Sequence, residues 1–347
     1  MAMAATGDVR LTELVSCGGC AAKYSAALLH ELVSTLPLDA DPNLLVGLAP
    51  ADDAAVYRLD DERALVFTVD FFPPIVDDPA DFGAIAAANA LNDVFAMGAT
   101  PLLALSVAAF PETLPREAVA AILAGAAAKV REAGGLLAGG HTLRADEPLY
   151  GLAVVGTASP DAIWTKAGAR PGDLLYLTKP LGTGLVIHAR KAGEVSDEAL
   201  SPTVELMKTL NADVAALLRG LEPHAVTDVT GFGLLGHAHE MAVRSGVRIE
   251  IDAREIPIIN AAVGIAGRGI VTGGDARNRE YVGDALEVDG AADVHLNVAF
   301  DPQTAGGFLV ALPPERAYEL EVALLERDVV PARVGAVVEG AGVRLYG

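Results

Sequence analysis

The stretch Ala64-Leu-Val-Phe-Thr-Val-Asp70, followed by Asp81-Phe-Gly-Ala-Ile-Ala-Ala-Ala-Asn-Ala-Leu-Asn-Asp-Val-Phe-Ala-Met97 and Pro101-Leu-Leu-Ala-Leu-Ser-Val-Ala-Ala109, decides the fold class. It predicts a strand at 64–70, a helix over 81–97 and an apolar strand at 101–109. The alternation continues outward. An amphipathic helix is expected over 25–36, a helix over 115–133 and a strand at 149–157, with Gly134, Gly139 and Gly140 punctuating the joins. This is an α/β pattern.

A chain of 347 residues exceeds the size at which one hydrophobic core usually stops growing, so two domains are expected. The segment between Ala158 and Gly172 mixes Pro, Gly and charge without periodicity and reads as the linker. The reading gives a glycine-containing loop segment over 1–24, an N-terminal domain over 25–158 and a C-terminal α/β domain over 159–347. The second half is expected to run strand 174–177, helix 202–219, strand 224–226, helix 234–245, strand 248–251, strand 308–312, helix 314–327 and a strand near 332–338. No short-period repeat interrupts it.

With 25 basic and 46 acidic residues, the net charge of −21 repels nucleic acid and anionic membrane surfaces. A polyphosphate ligand would need divalent cations between its oxygens and the protein's carboxylates, and an aspartate-rich Mg²⁺ site is consistent with that balance. A solvated acidic surface is the plain alternative. No apolar run approaches a membrane span, and 1–10 lacks the features of a signal peptide, so a cytoplasmic protein is expected. The two cysteines, Cys17 and Cys20, share one short segment, which excludes a disulfide framework.

That segment, Ser16-Cys17-Gly18-Gly19-Cys20-Ala21-Ala22-Lys23, sets a thiol three residues from an amine on a glycine-bearing stretch. A nearby ammonium and a helix N-terminus both favour thiolate, as a nucleophile requires. On pattern alone a reactive cysteine and an inert terminus stand even. Asp53, Asp70, Asp93 and Asp228 fall at strand ends or beside small residues, positions that converge at a sheet edge and supply the hard oxygens Mg²⁺ prefers. Each taken alone reads as a turn former or cap, and only their joint occurrence points to a metal. The run Ala138-Gly-Gly-His-Thr142 follows a short apolar strand and reads as a two-glycine turn whose amides can approach phosphate. No G-x-x-x-x-G-K-[ST] occurs, and 231–236 has the G-x-G-x-x-G spacing without an acidic partner, so its glycines read as the turn into the next helix. His141 and His237 are open to acid/base or merely structural roles.

Taken together, these segments resemble selenophosphate synthetase, also called selenide, water dikinase, in the superfamily that includes aminoimidazole ribonucleotide synthetase. The resemblance rests on Cys20-Ala-Ala-Lys23, Asp41-Pro-Asn-Leu-Leu-Val-Gly47, Asp52-Asp-Ala-Ala-Val-Tyr57, Thr68-Val-Asp-Phe-Phe72, Asn92-Asp-Val-Phe-Ala-Met-Gly98 and Ala138-Gly-Gly-His141. It continues through Leu177-Thr-Lys-Pro-Leu-Gly182, Thr227-Asp-Val-Thr-Gly-Phe-Gly-Leu-Leu-Gly-His237 and Asp301-Pro-Gln-Thr-Ala-Gly-Gly307.

The resemblance implies a two-domain α/β (α+β) architecture and a homodimer pairing through its N-terminal sheets. It implies Mg²⁺ on Asp53, Asp93 and Asp228, and ATP contacts from Lys23, Pro50, Ala51, Asp52, Asp70, Asp93, Gly140, His141 and Thr142. Catalysis is expected at Cys20 and Lys23. The implied substrates are ATP and selenide, the implied products selenophosphate, AMP and phosphate, and a selenium-delivery protein is left open as a further partner. Many members carry a cysteine where this chain has Ala22, while Cys17 lies upstream, so a Cys-x-Cys pair is not expected here. The rival readings are another ATP-using enzyme of the superfamily, of the purine-pathway amidine synthetase type, and a non-catalytic nucleotide-binding protein.

Overall fold

The computed structural model describes residues 9–15, 31–33, 35–36, 41–327 and 329–347. Cys17, Cys20 and Lys23, with most of the helix expected over 25–36, lie outside them.

The first half runs β1 (Leu44–Val46), β2 (Ala55–Arg58), β3 (Ala64–Phe72), α1 (Pro79–Ala96), β4 (Thr100–Phe110), α2 (Arg116–Glu132), β5 (Leu136–Arg144) and β6 (Leu149–Ala158). Its sheet has the order β1-β2-β3-β6-β4-β5, antiparallel except for the β4/β5 pair that α2 connects. The central strand β3 alternates strictly: Val66, Thr68, Asp70 and Phe72 point inward, while Phe67, Val69 and Phe71 are about half exposed on the outer face.

Helix α1 starts where Asp78 caps the Asp81 amide and Pro79 occupies the first turn. It is buried almost all round because the sheet, α2 and the second half of the chain surround it. Alanine and glycine make this possible. A Cβ placed on Gly83 would lie 1.9 Å from the Ile122 carbonyl oxygen, and one on Gly125 would lie 2.1 Å from that of Ala80, so α1 and α2 meet backbone to backbone.

The second half contains β7 (Leu174–Leu177), α3 (Thr183–Lys191), α4 (Asp197–Lys208), α5 (Ala212–Leu218), β8 (Ala225–Asp228), α6 (Gly233–Ser245) and β9 (Arg248–Asp252). Then follow α7 (Asn260–Gly267), α8 (Asp275–Val282), β10 (Leu286–Asp289), α9 (Asp293–Phe300), β11 (Phe308–Leu312), α10 (Ala317–Leu325), β12 (Ala332–Val338) and β13 (Gly342–Tyr346). They build a mixed seven-stranded sheet of order β10-β13-β9-β12-β7-β11-β8. The α/β class expected from the sequence is the one observed.

Three local expectations are corrected. Gly139 and Gly140 do not form a turn; they lie inside the edge strand β5, where Gly140 pairs with Ser106 closely enough that a Cβ would sit 2.4 Å from the Ser106 carbonyl oxygen. The single helix expected over 202–219 is two. Ser196 caps a turn upstream of Pro202, and the chain breaks at 209–211, where the Thr209 carbonyl accepts a bond from Lys179 and Asn211 turns inward. Asp70 lies within β3 rather than at its end, because the strand continues through Phe71 and Phe72.

Gly125→Val is expected to lose about 3 kcal/mol of unfolding free energy in urea titration, since the added carbons must push α1 and α2 apart. Gly264→Ala, in α7 with open space around its Cβ position, is expected to be neutral or to gain up to about 1 kcal/mol.

Candidate active site

The inner face of β3 and one face of α1 form a polar ladder. Thr68 Oγ1 donates to Asp93 Oδ2 at 2.5 Å, and Asn89 Nδ2 donates to Asp70 Oδ2 at 2.5 Å. The match is geometric: positions two apart on a strand and four apart on a helix both repeat on one face. Asn89 also reaches into the second half, accepting the Ala305 N–H at 2.7 Å through Oδ1. Asn92 Nδ2 donates to the Gly306 carbonyl at 3.1 Å, and Asn211 Nδ2 bonds both that carbonyl (2.8 Å) and Asn92 Oδ1 (3.0 Å).

The loop receiving these bonds is Asp301-Pro-Gln-Thr-Ala-Gly-Gly307. Gln303 Oε1 accepts the amides of Gly182 and Thr183 at the start of α3, and Gln303 Nε2 donates to Asp301. Ala305 has φ of 50°, a left-handed conformation that a residue with a Cβ adopts at a cost. Two contacts hold it there, Asn89 on its amide and Lys179 Nζ on its carbonyl at 2.9 Å. Lys179 is buried, and burial lowers its pKa to about 7 against the opposing pull of Asp228. Asp228 ends β8, buried, beside Lys179 and opposite Phe308 in β11.

A second cluster sits where the two halves meet. The buried Lys166 ammonium lies 2.9 Å from Asp53 Oδ1 and 3.3 Å from Glu240 Oε2. The Lys166 amide donates to Asp52 Oδ2 at 3.0 Å, and Thr227 Oγ1 donates to Asp53 Oδ1 at 3.3 Å. His237 accepts the Thr230 N–H at Nε2 (3.1 Å), which leaves the proton on Nδ1, 3.2 Å from Glu240. Burial opposes the Glu240 charge, but Lys166 and His237 outweigh it and hold its pKa down at about 2. Burial, with the neighbouring Asp53 charge, pushes Asp52 up to about 7.

The sequence-predicted residues therefore divide. Asp70 and Asp93 face α1 and β3 in one ladder; Asp52 and Asp53 lie at the boundary, joined through Thr227 to the strand that ends in Asp228. Pro50 and Ala51 are exposed beside them, and the Ala51 carbonyl accepts a bond from Arg244. Gly140, His141 and Thr142 are exposed on the β5 edge. Among the described residues no three His, Cys, Asp or Glu side chains gather closely enough to hold a metal by themselves. Asp53 nevertheless suits one: its Oδ2 is buried and has no hydrogen-bond partner, and carboxylate oxygens are what Mg²⁺ takes alongside phosphate oxygens.

Residues 51–158 match the family described as AIR synthase related protein, N-terminal domain, and residues 170–347 its C-terminal domain. Selenide, water dikinase of Caldanaerobacter subterraneus subsp. tengcongensis is 46% identical over 312 residues, 90% of each chain. That of Pelobacter propionicus is 46% identical over 334 residues, 95% of this chain and 96% of its own. The chain belongs to the selenide, water dikinase family. Among solved structures, the one described as AaThiL complexed with AMPPCP and TMP superposes with a TM-score of 0.68 at 20% identity, over 98% of this chain and 96% of that one, and so shares the fold. Family membership accounts for the order of the motifs, but Lys166 and Glu240 escaped sequence reasoning. Lys166 sits in the aperiodic segment read as a linker, and Glu240 is one more acidic residue on an amphipathic helix.

Burial pushes the Asp301 carboxyl up to about 8, although the Leu185 amide and Gln303 favour its charge. A carboxyl raised above its unfolded value near 3.8 binds more protons when folded, so its stabilising contribution is full below pH 4 and is lost as pH rises through 8. The stability difference between wild type and Asp301→Asn is expected to shift toward the variant as pH goes from 4 to 8, read by denaturant titration at each pH.

Proposed function

We propose that this chain makes selenophosphate, transferring the γ-phosphoryl group of ATP to selenide and hydrolysing the remaining β-phosphoryl to leave AMP and phosphate. The observation that carries the reading is near-half identity to selenide, water dikinases along about nine-tenths of the chain. Phosphoryl transfer asks the protein for positioning and charge neutralisation more than for covalent chemistry.

In this reading Asp53, Asp93 and Asp228 hold Mg²⁺, which when bound neutralises phosphate charge. Lys23, Pro50, Ala51, Asp52, Asp70, Asp93, Gly140, His141 and Thr142 contact ATP. The protein's own part is orientation: Thr68 fixes one Asp93 oxygen and Asn89 one Asp70 oxygen, so both carboxylates are aimed before nucleotide arrives. Cys20 handles the soft selenium nucleophile, and Lys23 favours its thiolate and meets phosphate.

Two copies pair through the outer face of the first sheet. Phe67, Val69, Phe71, Leu103 and Leu105 make that face apolar and exposed, a surface that favours a partner. In this reading the domains divide at 158, a boundary supported by the end of β6 there and by the crossing of 159–173 to the second sheet.

ATP consumption is expected to depend on selenide, with AMP as product; selenide-independent turnover or none would favour the sister-enzyme or nucleotide-binding readings. Cys20→Ser should abolish selenide-dependent AMP formation while Mg²⁺-ATP binding persists, and Cys17→Ser should keep most activity. Calorimetry with excess chelator should show no ATP binding; equal binding would remove the metal from the account. Light scattering at micromolar concentration should give about twice the 35.6 kDa of one chain, and Val69→Asp should yield monomer.

A further inference from the structure

The cluster around Lys166 contains a cation where the family reading needs another. Its ammonium touches Asp53 on the segment before β2 and Glu240 on α6, while its own amide fixes Asp52. One oxygen of Asp53 is thus taken by Lys166 and Thr227, and the other, Oδ2, is buried without a partner. Lys166 itself comes from the crossing segment between β6 and β7, so the ion pair joins three separate parts of the chain.

We propose that Lys166 is the resident counter-ion of Asp53, so that its ammonium and the divalent cation are alternative partners of one carboxylate. Metal loading exchanges the Lys166–Asp53 pair for a metal–carboxylate bond, and Lys166 remains on Glu240. The inference rests on reading Asp53 as a metal ligand.

Two cations beside one poorly solvated carboxylate repel each other, so either the metal binds more weakly or the ammonium withdraws. Withdrawal is open to lysine because its charge rides on a flexible four-carbon stem and Glu240 offers a second anchor 3.3 Å away. Without any cation, Asp53 would be a buried carboxylate with no charge partner and Glu240 would keep only His237, an unfavourable arrangement. The lysine thus keeps the halves together while the metal is absent and opposes its entry. A purely structural lysine would lend stability and leave metal affinity unchanged.

The test uses full-length protein without nucleotide and Mn²⁺ as the probe, its free ion counted by electron paramagnetic resonance. Lys166→Met is expected to bind Mn²⁺ about tenfold more tightly than wild type. Its melting temperature should be lower in chelator, and the gap should close as Mn²⁺ is added. Lys166→Arg should keep wild-type affinity.

An equal or weaker Mn²⁺ affinity in folded Lys166→Met would overturn the proposal. If that variant does not fold, Lys166→Met/Glu240→Gln is compared with Glu240→Gln alone, where no unpaired Glu240 remains; tighter binding in the double variant supports the exchange, and equal or weaker binding rejects it. Asp53→Asn separates the two readings. Its loss of Mn²⁺ binding upholds the metal reading whatever Lys166 does, and its undiminished binding overturns that reading.

Discussion

Helix α1 carries buried Asn89 and Asn92 and half-buried Asp93 along a surface that alanine otherwise makes apolar, and these side chains set the terms for everything around them. A buried polar group without a partner costs about 1–3 kcal/mol, so each must be met. Asn89 and Asp93 are met on one side by Asp70 and Thr68 of β3; Asn89 and Asn92 are met on the other by the backbone of Ala305 and Gly306. These bonds exist only if the second half sits against α1 in one orientation. The helix therefore positions the carboxylates and docks the two halves with the same few side chains.

The loop that completes this docking shows how strain is distributed. Ala305 stays in a left-handed conformation because its amide and carbonyl are both engaged, and the carbonyl's partner is a lysine whose burial already disfavours its charge. Gln303 and Asp301 secure the same loop to the first turn of α3. Neutral hydrogen bonds dominate here. At the Asp52, Asp53, Lys166 and Glu240 cluster the halves are joined by charge instead, as they are again where Lys208 meets Asp81.

What the sequence made legible follows from periodicity. β3, α1, β4, α2 and β6 are readable because their apolar patterns are long and regular, and the expected bounds of each lie within two residues of both observed ends. Only the apolar start of strand β5 is legible; its continuation from Ala138 is hidden because the exposed, glycine-bearing run looks like a turn, and an edge strand buries little that would mark it. The break between α4 and α5 was hidden because its cause is tertiary, a lysine thirty residues away bonding the Thr209 carbonyl. Asp70 and Asp93 were legible as chemistry, yet their partners Asn89 and Thr68 were not, since a strand-to-helix pairing has no signature in linear spacing. Lys166 is illegible because it sits in an aperiodic crossing segment and its partners Asp53 and Glu240 lie far from it in sequence.

Strand β3 serves two masters on its two faces, with Thr68 and Asp70 turned toward α1 and Phe67, Val69 and Phe71 turned away. Strand parity ties them together: moving the chain by one residue exchanges the faces. A single-residue insertion or deletion before Thr68 would aim aromatic rings at the asparagines of α1 and carry the carboxylate outward onto the apolar sheet surface. Side chains along β3 can drift individually over evolution, but its length cannot, and the strand should accept substitutions far more readily than any change in residue count.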